Sequence, residues 1–322
     1  MMALSSGRNS GEGLVCPIVS VGIPVRNGAG SLARALDSVL TQTFRQIEVI
    51  ISDNSSTDDT PKVIATAAAD PRVRAFRQER PLTGMENFRF VLDQAQGEYF
   101  MWAAHDDWRT PNYIEALFGA LQRNPDAVLA SAESLSCPEA DLEFAFPADP
   151  FFCDVETLGM PLFARLRKQA QRGCVHVYGL IRIDSLRGYR WYAPRLSPDR
   201  PLLNWLAAQG PFVRAEAGRF LYFNPGKSRE QSAQENFYEG LDRWARERCV
   251  WASARAVTLS TWRKRRVWLP SVLAFLLIYL WEARGFKNAL YPWLPAPALR
   301  LWRGVKSLRR SGRGESHGER GQ

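Results

Sequence analysis

Residues 19–53, VSVGIPVRNGAGSLARALDSVLTQTFRQIEVIISD, decide the fold. VSVGIPV is a short run rich in β-branched residues and uninterrupted by charge, the pattern of a strand buried on both faces. Leu32, Ala35, Leu36, Val39 and Leu40 then recur at helical spacing from Ser31 to Thr43. IEVIIS, Ile47 to Ser52, is a second buried strand. Strand, helix and strand in this order predict a parallel pair joined by a crossover helix.

The same alternation continues outward. A helix is predicted from near Asp58, with Pro61 suited to its first turn, and Val73 to Arg77 forms a third strand. Phe88, Val91, Leu92 and Ala95 make another helical stripe that Gly97 closes before a fourth strand, Glu98 to Ala103. A helix entered at Pro111 carries Ile114, Leu117, Phe118 and Leu121 and stops at Asn124-Pro125, and Ala127 to Ala132 is a further strand. Beyond it the pattern is less regular until Asp199, where Leu202, Leu203 and Leu206 mark a last helix. The fold class is α/β: a Rossmann-like, mostly parallel sheet flanked by helices.

The 322 residues exceed one average domain, and 46% hydrophobic with 23% charged residues suits a chain that buries a core. Cys16, Cys137, Cys153, Cys174 and Cys249 are odd in number, widely spaced and without a C-x-x-C pair. That argues against structural zinc or a disulfide framework. Residues 1–15 read as a flexible N-terminus without the apolar core of a signal peptide, so a reduced, cytoplasmic chain is expected. The net charge is +9, but residues 263–322 hold thirteen basic and three acidic residues, so the preceding 262 sum to −1. A near-neutral body excludes a nucleic-acid groove across it, and the basic tail points to an anionic surface.

In open α/β sheets ligands bind beyond the carboxyl ends of the strands. Four polar segments fall there: Pro24 to Asn27, Asp53 to Ser56, Arg80 to Asn87, and His105-Asp106-Asp107. Gly28-Ala29-Gly30-Ser31-Leu32-Ala33 matches the dinucleotide fingerprint, with Asp53 near the right distance, which makes an NAD-dependent dehydrogenase one alternative. Against it, Pro24, Arg26 and Asn27 separate the strand from the first glycine. Asp106 and Asp107 are adjacent hard-oxygen ligands for Mg2+ or Mn2+, and such an ion bridges the phosphates of a nucleotide. They also have a structural reading, as caps of the helix entered at Pro111.

These motifs resemble family-2 glycosyltransferases of the GT-A fold. IVSVGIPVRNGAGSLARALDSVLTQTF, IEVIISDNSSTDDT and GEYFMWAAHDDW carry the likeness over residues 18–110. It extends through VYGLIRIDSLR (Val177 to Arg187) and SPDRPLLNWLAAQG (Ser197 to Gly210). The resemblance implies a metal-dependent, inverting transfer of a sugar, hexosyltransferase-type, from a nucleotide-diphosphate donor, with a UDP-sugar favoured. The acceptor it implies is a glycan or a lipid-linked molecule, as in cell-surface polysaccharide biosynthesis. It places Pro24, Arg26, Asn27 and Asp53 around nucleobase and ribose, Arg80, Asn87 and Asp106 on the donor, and the metal on Asp106 and Asp107. Asp53 can accept from the imide N–H of a uracil-type ring, and Arg26 can stack on it. Many relatives carry an acid where this chain has Ala104, which leaves the phosphate work to the aspartate pair; His105 stands beside the ribose or is a loop histidine. The implied catalytic base is Asp199, with Asp184 as a second candidate. An aspartate opening an apolar helix is also a favoured N-cap. Ala104 and the double reading of Asp199 keep a catalytically degenerate nucleotide-sugar-binding protein as the other alternative.

The domain boundaries follow: a transferase domain over 16–226, a helical extension over 227–262, and a membrane-associating tail over 263–322. Arg263 to Arg266 precede fifteen uncharged residues, Val267 to Trp281. As a helix these span about 22 Å, short of the roughly 30 Å hydrocarbon core. Seven of the eleven tryptophans lie from Trp244 onward, the pattern of a lipid interface. Three arrangements are open: a peripheral or monotopic anchor at the inner face of the cytoplasmic membrane, a helix packed on protein, and a span.

Overall fold

The computed structural model describes residues 17–137, 146–147, 155–170, 174–189, 191 and 199–223. The N-terminus before 17 and everything after 223, including the expected extension and tail, lie outside the described residues.

Strands β1 (Val19–Val25), β2 (Ile47–Asp53), β3 (Val73–Arg77) and β4 (Tyr99–Trp102) form a parallel array in the order β3-β2-β1-β4. Every residue of β1, β2 and β4 is buried, the charged Glu48 and Asp53 of β2 included, as expected of strands whose two faces are both covered by helices. Helices α1 (Leu32–Leu40), α2 (Thr60–Ala67), α3 (Gly84–Asp93) and α4 (Tyr113–Arg123) lie between the strands as the sequence predicts. Thr83 and Glu86 close a reciprocal capping box at the start of α3: Thr83 Oγ1 accepts from the Glu86 N–H, and Glu86 Oε2 accepts from the Thr83 N–H. Gly97 is required by close approach, since a Cβ there would sit 2.7 Å from the Ile18 carbonyl oxygen.

The second half of the sheet is mixed. β5 (Trp108–Arg109), β6 (Leu129–Cys137), β7 (Phe146–Pro147), β8 (Leu180–Arg182) and β9 (Phe212–Phe223) complete a nine-stranded sheet among the described residues. β8 runs antiparallel to both β4 and β6, and β9 runs parallel to β6 and antiparallel to β5. The expected strand at Ala127 to Ala132 is the start of the longer β6. β9 was not legible, because FVRAEAGRFLYF has charged residues and a glycine in its middle.

One face of the sheet packs α1 and α4 through Leu32, Leu36, Leu117 and Leu121. The other packs α3, α5 (Leu162–Ala170) and α7 (Asp199–Gln209) through Val91, Leu166, Leu203 and Leu206 against Phe100 and Trp102. α6 is the single turn Ile183–Leu186. Arg200 through Ala208 of α7 are all buried, so this helix is an interior element.

Within that second face His176 is 3% exposed, its Nε2–H donating to Gln169 Oε1 at 2.8 Å, while Nδ1 has no hydrogen-bond partner among the described residues. Burial, and then the positive charge of Arg200, push its pKa down to about 3. The unfolded chain takes up a proton near pH 6.5 that the folded chain refuses. Stability from this group is therefore complete above about pH 6.5 and declines as the pH falls toward 3. We expect His176→Gln, which cannot titrate, to reduce the loss of stability between pH 6.5 and 4.5 by on the order of 2 kcal/mol. Thermal unfolding at the two pH values checks this; an unchanged pH dependence would remove His176 as its source.

Candidate active site

The parallel strands end together, and their following loops are tied to one another. Asn27 and Ser55 both have positive φ, 53° and 54°, a region Asn tolerates best among residues with a side chain. The Asn27 N–H donates to Ser56 Oγ and the Thr57 N–H donates to Asn27 Oδ1, each at 2.9 Å. Gly28 N–H donates to Thr60 Oγ1 and Ala29 N–H to Asp58 Oδ2. The glycine-rich turn thus spends its N–H groups on the neighbouring loop, where a dinucleotide fingerprint would aim them at a pyrophosphate. That removes the structural basis for the dehydrogenase alternative.

Asp53 is 2% exposed at the end of β2. Its Oδ1 accepts from the Ser56 N–H at 2.9 Å, and its Oδ2 accepts from Arg77 Nη1 at 2.6 Å. Pro24 is buried within β1, and Arg26 is exposed just beyond it. Arg80 is exposed as well, on a loop that Asn54 holds by exchanging two hydrogen bonds with the backbone of Leu82. Asn87 is buried, and its amide is turned to β2: Ser52 Oγ donates to its Oδ1 at 2.6 Å and its Nδ2 donates to the Ser52 carbonyl at 3.2 Å. Asn87 therefore fixes the end of β2 from behind.

At the end of β4, Ser31 Oγ and His105 Nδ1 lie 3.0 Å apart, which joins α1 to the aspartate loop. Asp106 is half-buried. Asp107 is 2% exposed, and its Oδ1 accepts from the Phe223 N–H at 2.9 Å. Burial pushes the Asp107 carboxyl up to about 7; the Phe223 hydrogen bond opposes this, Asp106 adds to it, and the charges of Arg109 and Arg34 pull it back. Arg109 is buried under the Phe220 ring at 5.1 Å, donates through Nη2 to the Trp102 carbonyl, and leaves Nε and Nη1 without partners among the described residues. Arg34 lies 4.1 Å over the Trp108 ring.

Tyr178 connects this loop to the far end of the chain. Its ring stacks on Phe220 at 5.5 Å, and its phenol is held well above the usual range by burial and then by the negative charges of Asp107, Asp199 and Asp106. Asp199 is half-buried at the start of α7, its Oδ1 accepting from the Arg200 N–H at 3.2 Å. Asp184 is exposed and paired with Arg187 at 3.1 Å, as expected of a surface acid. Sequence reading overlooked Arg77, Arg34, Arg109 and Tyr178; a cation at the carboxyl end of a strand was the one signal that could have drawn attention to Arg77.

Among the described residues no group of three or more His, Cys, Asp and Glu converges. The donor set is two adjacent carboxylates, one buried and short of counter-charge. That suits Mg2+ or Mn2+, which take one or two carboxylates and complete their shell with phosphate oxygens and water. It does not suit structural zinc.

The Glycosyl transferase family 2 model matches residues 20–187, just over half of the chain. An uncharacterized glycosyltransferase of Rickettsia felis is 33% identical over 118 residues, 36% of this chain and 19% of that protein. The GalNAc(5)-diNAcBac-PP-undecaprenol beta-1,3-glucosyltransferase of Campylobacter jejuni is 35% identical over 107 residues, 33% of this chain and 32% of that protein. The chain spans less than half the length of the curated relatives it matches. Among solved structures, S. aureus TarS 1-349 in complex with UDP aligns at TM-score 0.58 and 16% identity, covering 88% of this chain and 77% of that one. The same protein in complex with UDP-GlcNAc aligns at 0.55. The fold is GT-A.

Proposed function

The chain belongs to glycosyl transferase family 2, and from that premise we propose that it transfers a sugar from a nucleoside-diphosphate sugar, a UDP-sugar by preference, to a hydroxyl of a glycan or lipid-linked acceptor with inversion. The reading is carried by the parallel strands that end together, with Asp53 at the end of β2 and the adjacent Asp106 and Asp107 on the loop that follows β4. The likeness to TarS, whose structures hold UDP and UDP-GlcNAc, supports the donor class.

In this mechanism Asp53 and Arg26 hold the nucleobase, with Pro24 and Asn27 shaping the loop beneath it. Arg80 meets the diphosphate from its exposed loop, and Asn87 keeps β2 in place. Asp106 and Asp107 would hold Mg2+ or Mn2+, which when bound neutralises charge on the departing diphosphate. Asp199 accepts the proton of the acceptor hydroxyl as its oxygen attacks the anomeric carbon. Attack from the face opposite the leaving diphosphate, in one displacement, inverts the configuration.

The basic, Trp-rich residues 263–322 place the enzyme at the inner face of the cytoplasmic membrane in this reading, and cosedimentation with anionic vesicles tests it. Among the described residues no helix is long and apolar enough to cross a membrane. The function itself is tested by following UDP release from UDP-sugars with Mn2+, with and without candidate acceptors. A protein that is stabilised by UDP-sugar and Mn2+ yet never releases UDP is the degenerate binding protein, and one that binds neither ends the proposal.

A further inference from the structure

We propose that Trp191 is the platform on which a sugar ring of the acceptor lies, so that the hydroxyl attacked belongs to a carbohydrate. The inference rests on the glycosyl-transfer reading above and deepens it by naming the acceptor's chemical class.

Trp102, Trp191 and Trp205 pack in the cluster on the second face of the sheet, and two of the three are spent on the fold. Trp102 and Trp205 are buried, and each donates its indole N–H to a backbone carbonyl, that of Phe88 at 3.0 Å and that of Ser185 at 2.8 Å. Trp191 differs. It is half-buried, and its N–H has no partner among the described residues without being sealed from solvent. Its ring meets Trp102 at 6.1 Å and 79° and Tyr189 at 5.4 Å and 73°, both edge-to-face, so neither neighbour lies flat on it. A tryptophan that belongs to the core normally pairs its N–H. This one is held by its neighbours and keeps a donor and open indole surface.

Its place is set by the strands. Trp102 is the last residue of β4, and the loop that follows carries Asp106 and Asp107. Asp199 opens α7 at the same edge of the sheet. α7 leads into β9, whose first residue, Phe212, is paired with Leu129 at the start of β6. β6 and β4 both run antiparallel to β8 and so parallel to each other, which makes α7 descend from the carboxyl edge to the amino edge. Its eleven residues rise about 16 Å, the height of a five-residue strand. Trp191 comes after β8, which neighbours β4 on the side away from β1 and β2. The aspartate loop therefore stands between the nucleotide candidates and Trp191, and the side of Trp191 and Asp199 is left for the acceptor.

A carbohydrate fits what Trp191 offers. A pyranose presents a face of C–H groups to an aromatic ring, and its hydroxyl oxygens accept from an indole N–H. A phosphate without a sugar would call for a cation, which an indole does not supply.

The test compares Trp191→Leu, which keeps apolar bulk against Trp102 and Tyr189, with Trp191→Phe, which keeps a flat ring but no N–H. Saturation-transfer NMR of the full chain with UDP and Mg2+ is run against the methyl pyranosides of glucose, galactose, mannose and N-acetylglucosamine. UDP release from UDP-sugars is followed with and without the same glycosides. At least one glycoside should show contact through its ring C–H protons and speed UDP release. Trp191→Leu should lose that contact and raise the KM for the glycoside on the order of 10-fold or more. Its kcat and its calorimetric affinity for UDP and UDP-sugar should stay within about twofold, because a platform binds ground state and transition state alike. Trp191→Phe should fall between Trp191→Leu and wild type. An unchanged glycoside KM in Trp191→Leu would overturn the proposal. So would weakened UDP-sugar binding, which would make Trp191 a donor contact or part of the framework. Wild-type protein that binds UDP-sugar and none of the glycosides would overturn it too. Wild-type protein that binds no UDP-sugar would bring down the glycosyl-transfer reading as well, a failure visible before any variant is made.

Discussion

Asp107→Asn should abolish sugar transfer, by on the order of 10²–10³-fold or more, while leaving the protein at least as stable as the wild type. The two halves of this expectation have one cause. Asp107 is buried beside Asp106, and its carboxyl is pushed up to about 7. The folded chain therefore holds a proton there more tightly than the unfolded chain, whose carboxyl titrates near 3.8. Stability contributed by that proton is present at low pH, falls as the pH rises from about 4 to about 7, and is gone above it. Asparagine keeps an oxygen for the Phe223 N–H and removes the buried charge. At pH 8 the variant should thus gain stability, on the order of 1–4 kcal/mol. A divalent cation relieves the same charge, so Mn2+ and protons compete. Mn2+ should stabilise wild-type protein with UDP more at pH 8 than at pH 5.5, and should have no such effect on the variant. Thermal unfolding with and without Mn2+ at both pH values decides the matter. A variant that is destabilised, or that responds to Mn2+ like wild type, would show Asp107 to be part of the framework and not of the metal site.

The second large effect concerns Asp199. Loss of a general base costs roughly 10²–10⁴-fold in rate, and Asp199→Asn should lose that much in kcat. Donor affinity should stay within about twofold, because no step of donor binding is assigned to this residue. Stability should hold as well, since asparagine can still accept from the Arg200 N–H that Asp199 Oδ1 accepts now. Asn is also as good a residue as Asp at the entry to a helix. Kinetics with saturating donor, set against calorimetry of UDP binding, separates the roles. Near-normal kcat in a folded variant would transfer the base to another acid; a fall in melting temperature with unchanged kcat would leave Asp199 a helix-start residue alone.

The parallel half of the fold was legible because its signals are local. The central parallel strands read as largely apolar runs, α1 and α4 show their buried stripes at helical spacing, and polar residues just past the strands mark the ligand end of such a sheet. The same locality explains what was out of reach. Asp53 could be singled out from its position, but not that Arg77 would grip it, because that contact depends on the register between β2 and β3. That the Asn87 amide would turn to Ser52 was likewise out of reach, because it depends on how α3 packs against β2.

The adjacency of Asp106 and Asp107 is written in the chain, and so is the two-carboxylate metal chemistry it offers. Their different environments are not. Asp107 is buried because β9, a strand too interrupted to be recognised, returns from more than a hundred residues away and sets the Phe223 N–H against its carboxylate. Residue types and their spacing along the chain thus determined the sheet and the chemistry available at its edge. Which carboxylate is desolvated and which is paired was decided by long-range packing, because desolvation and charge proximity are properties of three-dimensional neighbours and have no signature in the order of residues.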